Sequence, residues 1–123
     1  MEAKDLMIGD WVNIAIEEYN NPTRIREIGS FWVKVIKDET EYGNILVTPI
    51  PLTSEILEKA GFIEVSKYNW VLRDKYTGDN VIVLYEVVNA FAMITEGMTI
   101  GLQNVHELQH LFKLYGITKE IEL

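Results

Sequence analysis

Apolar and polar residues alternate over residues 11–16, where Val12, Ile14 and Ile16 share one face at a period of two. The turn residues Ile8-Gly9-Asp10 lead into this strand, and Asn20-Asn21-Pro22 reads as a break after it. Further strands are predicted over residues 23–28, 31–36 and 45–48. In the second of these, Phe31, Val33 and Val35 alternate with Trp32, Lys34 and Ile36. Short strands separated by turns predict a small curled sheet over residues 1–50, barrel-like in form. Pro49-Ile50-Pro51 ends it, since proline cannot serve a central ladder.

A short helix should follow. Thr53 is a suitable N-cap, Glu55 puts negative charge in the first turn, and Leu52 and Leu57 have staple spacing. Gly61 is placed to end the helix in a left-handed turn, with Phe62 folding back on Leu57. Strands return over residues 69–73, 81–88 and 91–95, and Asp74 to Asn80 reads as a hairpin loop. Residues 81–88 are apolar on both faces except Glu86, which predicts the central strand of a second sheet. The clearest helix spans residues 105–115, with Asn104 as cap, Glu107 completing a capping box and Gly116 as terminator. The expected fold class is therefore α+β. It comprises a barrel-like antiparallel sheet, a short helix, and a second antiparallel sheet covered by a C-terminal helix. Its 123 residues suit one domain, with a β part over 1–50 and an α+β part over 51–123.

Charge narrows the range of functions. Eleven basic residues against nineteen acidic ones give a net charge of −8, which opposes binding to phosphate backbones. Arg24, Arg26 and Lys34 are too few to offset it. Asp38, Glu39 and Glu41 read as a solvated turn. Cysteine is absent, which removes disulfides, thiolate zinc sites and cysteine nucleophiles. The first ten residues hold Glu2, Lys4 and Asp5 and no apolar core, unlike a signal peptide, and no stretch is apolar enough to span a bilayer. The expectation is a soluble, cytoplasmic protein.

One motif carries chemistry. His106-Glu107-Leu108-Gln109-His110 matches H-E-x-x-H, in which two imidazoles one helical turn apart hold zinc and the glutamate serves as general base. With about 100° per residue, Val105, Leu108, Leu111, Phe112 and Tyr115 form one apolar face, and His106 and His110 fall opposite it. The expectation is a solvated pair that alanine at position 110 would barely disturb. The extended motif also needs a glycine and a third histidine downstream, where this chain has Lys113 and Gly116. Neither Thr77-Gly78-Asp79-Asn80 nor Gly97 to Gly101 has the spacing of a calcium or phosphate loop.

Three blocks together resemble a group of small uncharacterised proteins of gut anaerobes and of their prophages and other mobile elements. They are Leu6 to Val12 around Gly9-Asp10-Trp11-Val12, Ile50 to Phe62 beginning Ile50-Pro51-Leu52-Thr53, and Val105 to Leu111. In that group the last block runs Val-His-x-Leu-Gln. The resemblance therefore picks out His106 and Gln109, and leaves Glu107 and His110 outside the pattern. It implies a phage-related or mobile-element setting and carries no activity with it.

Three functions remain, the third a nucleic-acid-associated barrel. The preferred one is a non-enzymatic domain with no cofactor, binding an unidentified protein through Trp11, Tyr19, Trp32 and Tyr42, or through His106 and Gln109. The alternative is a small zinc metallopeptidase, with His106 and His110 as ligands and Glu107 as base. The oligomeric state is left open.

Overall fold

A computed structural model describes residues 1, 5–16, 19–36, 40–43, 46–95 and 97–123. The chain groups into two compact units. One joins Met1–Pro51 with Asn104–His110, and the other joins Leu52–Gln103 with Leu111–Leu123. The class is α+β, as the residue pattern predicts.

The first unit holds β1 (Trp11–Ile16), β2 (Tyr19–Ile28), β3 (Trp32–Val35), β4 (Glu41–Gly43) and β5 (Val47–Pro49), in the order β4-β3-β2-β1-β5. This sheet is antiparallel and open, which corrects the expected barrel. Its core is Val12, Ile14, Ile25, Val33, Val35 and Val47 with Leu6, and Tyr42 packs against that core. Phe31 and Ile36, assigned to a strand by alternation, lie just outside β3 and are exposed. The break expected at Asn20-Asn21-Pro22 does not occur, because β2 runs through it and Pro22 pairs with Asn13. Among the described residues, β3 pairs with β2 over Ile25 to Ile28, and the Ile36 N–H reaches the Arg24 carbonyl at 3.1 Å. Asp38, Glu39 and the Tyr19 side chain lie outside what is described.

The second unit begins with α1 (Ser54–Lys59). The Thr53 hydroxyl accepts the Ile56 N–H at 3.3 Å, and Leu52 and Leu57 are buried. Gly61 takes φ +99°, which costs glycine little, and the Phe62 N–H returns to the Leu57 carbonyl at 3.0 Å. The sheet comprises β6 (Ile63–Ser66), β7 (Asn69–Arg73), β8 (Asn80–Val87), β9 (Ala90–Thr95) and β10 (Met98–Leu102), in the order β10-β9-β8-β7-β6. β8 is central, as expected. Its register places Trp70, Ile82, Leu84, Phe91 and Met93 on one buried face. The other face holds Ile63, Tyr85, Val87 and Ile94, all exposed. On that same face Val71 is buried and Val83 half-buried, so the second apolar face of β8 is exposed in part, at Tyr85 and Val87.

Helix α2 (Val105–Leu114) is divided between the units after His110. The Glu107 carboxylate accepts the Asn104 backbone N–H at 3.0 Å, which forms the returning arm of a capping box. At the other end Phe112 stacks on Phe62, with centroids 6.2 Å apart. Among the described residues, no helix is long and apolar enough to cross a membrane.

Candidate functional site

The Gly9-Asp10 turn sits where β1 begins, and the first half of α2 locks onto it. Asp10 is fully buried. Its carboxylate accepts the Met7 N–H at 2.7 Å and faces His110 Nε2 with both oxygens, at 2.8 and 2.9 Å. A carboxylate can only accept here, so Nε2 carries the proton. Gln109, one residue earlier, bridges the same turn. Its Oε1 accepts the Trp11 N–H at 2.8 Å and its Nε2 donates to the Gly9 carbonyl at 3.0 Å. Arg24 Nε donates to that carbonyl as well, at 3.1 Å, and its guanidinium lies 5.9 Å from the Trp11 ring centroid. The result is a closed network of turn, strand and helix, with its polar groups spent on one another.

His106 lies beside this network. It is 5% exposed, and its ring meets that of His110 edge-on with centroids 5.5 Å apart. Its Nδ1 is buried without a hydrogen-bond partner. Burial pushes the imidazole below its ordinary pKa, and the Asp10 and Glu107 charges oppose that shift only in part. The helical wheel therefore misplaces both histidines. The predicted wet face of α2 is instead bonded to the Gly9-Asp10 turn through Gln109 and His110.

H-E-x-x-H can be tested on these contacts. Glu107 Oε1 holds the Asn104 N–H and its side-chain amide, both at 3.0 Å, so the residue assigned as general base is engaged as a cap. His110 Nε2 is engaged with Asp10. Among the described residues, no group of three or more His, Asp or Glu is disposed to hold a metal ion. A catalytic zinc takes three protein ligands, and among the described residues no third one stands with His106 and His110.

The aromatic candidates are half-buried and dispersed. Trp32 lies with its ring against Gly29, where a Cβ would collide with it, and Lys34 sits 5.9 Å from its centroid. Trp11 is covered by Arg24, and Tyr42 is tied to the first core. Sequence reasoning missed the exposed face of the second sheet, although the double-sided apolar pattern of residues 81–88 was its signal. It also missed Asp10, which sequence spacing marks only as a turn residue. The chain matches no family model, no curated protein and no solved structure.

Proposed function

We propose that this chain is a non-enzymatic protein-interaction domain. One observation carries the reading: the second sheet leaves Ile63, Tyr85, Val87 and Ile94 exposed together on one face. Apolar side chains gathered on one sheet face mark interaction surfaces, whereas scattered ones need no explanation. Glu107 supports the same reading from the other side, because its carboxylate is held as a cap by Asn104. The partner should offer an apolar surface poor in acidic side chains, given the charge of −8. The resemblance of the three blocks to small proteins of gut anaerobes and their prophages gives the reading a cytoplasmic, mobile-element setting.

The test is affinity capture from host lysate with three proteins: wild type, a Val87→Lys/Ile94→Lys double variant, and Trp32→Ala. A partner held by wild type and Trp32→Ala but lost by the double variant supports the sheet face. A partner lost only with Trp32→Ala places binding on the first unit, and capture of no partner at all overturns the proposal.

A further inference from the structure

Each sheet has two outer strands, and an outer strand offers unpaired backbone groups to any extended chain unless something blunts it. Three of the four are blunted. β4 is three residues long and carries Glu41. β5 ends in Pro49. β6 carries Glu64 and a register shift between Glu64 and Ser66. β10 differs: Met98-Thr99-Ile100-Gly101-Leu102 has no charge and no proline, and pairs with β9 without a break in register.

The open side of β10 can be read from its last bond. The Gln103 carbonyl turns away from β9 and accepts the Leu52 N–H at 2.9 Å. Backbone groups alternate in direction along a strand, so those of Thr99 and Gly101 point the same way as Gln103. Thr99 and Gly101 are both exposed.

Gly101 does not disturb this edge: it is not among the residues with positive φ, the ladder around it is regular, and a Cβ at this position would meet nothing within 4 Å. A side chain there would stand off the sheet face and leave the backbone groups of the edge open.

We propose that β10 pairs antiparallel with β10 of a second copy of this chain, about a two-fold axis at Ile100. The open stretch runs from the β9–β10 turn at one end to the Leu52–Gln103 bond at the other, and Ile100 is its middle residue. An antiparallel copy centred there brings Ile100 opposite the partner's Ile100. Thr99 then exchanges backbone bonds with the partner's Gly101, and Met98 lies over the partner's Leu102. No charge meets a like charge. This suits self-association of a chain of net charge −8, whose copies repel each other elsewhere. The two sheets would join into one continuous sheet. The proposal is independent of the binding face assigned above.

The test is sedimentation equilibrium of the full chain from micromolar to near-millimolar concentration, with wild type, Gly101→Val and Thr99→Pro. Wild type should reach twice the mass of a single chain. Thr99→Pro removes an outward N–H that β9 does not use, so it should dissociate at least about tenfold more readily than wild type. Gly101→Val leaves every backbone group of the edge in place, puts its side chain off the sheet face and raises strand propensity, so it should dimerise at least as tightly as wild type. Wild type that stays a single chain throughout overturns the proposal. So does a dimer that survives Thr99→Pro unchanged.

Discussion

The two sheets have five strands each and treat their surroundings differently. In the first, outward side chains are covered by long cations, with Arg24 near Trp11 and Lys34 near Trp32, and its leading turn is bonded to α2. In the second, one face is tightly buried and the other presents Tyr85, Val87 and Ile94 to solvent. Equal strand number and antiparallel pairing therefore do not imply equal readiness to bind. Readiness depends on whether polar and cationic groups have been placed over the apolar ones.

The sharpest way to probe this contrast is within the second sheet. Leu84→Ala removes a fully buried side chain from the inner face and should cost about 2–5 kcal/mol in urea unfolding. A loss under about 1 kcal/mol would mean that the inner face is not the core.

Within the first unit, His110→Ala should cost about 2–3 kcal/mol, because it leaves the buried Asp10 carboxylate without the His110 N–H. His110 retains 30% side-chain exposure, which keeps the figure below that of a wholly buried pair. The same measurement on Asp10→Asn should show a smaller loss, since an amide still accepts one of the bonds. Equal stability of His110→Ala and wild type would restore the solvated-pair reading.

A pH series gives the next effect in size. Burial lowers the His106 pKa in the folded chain, so the neutral imidazole is the folded form. Its contribution is complete above the unfolded value of about 6.5 and is lost as pH falls through the folded value. The melting temperature of wild type should drop on acidification below that point, and His106→Leu should flatten the drop. A variant with an unchanged acid profile would show that His106 is not the group responsible.

The smallest effect belongs to the exposed face. Ile94→Lys should alter stability by less than about 0.5 kcal/mol in the same urea series, because nothing packs over this side chain. A larger loss would show that the face is covered in the folded protein, and the contrast between the sheets would fail.

What could be read from the sequence follows the range of the signals. Thr53, Leu57 and Gly61 define α1 almost to the residue, because caps and staples act within a few positions. β6 escaped notice because Ile63-Glu64-Val65-Ser66 is too short for periodicity to register and contains a bulge. The histidines were misplaced because a wheel weighs apolarity alone, and this face of α2 is held by polar bonds to the Gly9-Asp10 turn. Asp10 carried no signal, because its partner His110 is 100 positions away. Local chemistry identified the turn, but the Asp10–His110 hydrogen bond exists only in three dimensions.

That separation also has a consequence in time. A ribosome adding about 5–20 residues per second takes roughly 5–20 s to travel from Asp10 to His110. Throughout that interval the Gly9 carbonyl and the Asp10 carboxylate await the side chains that will bind them, while the whole of the second sheet is being made. The first unit is thus the first to begin, yet it stays incomplete until the second sheet has been made. During synthesis its leading turn depends on the last helix of the chain to complete it.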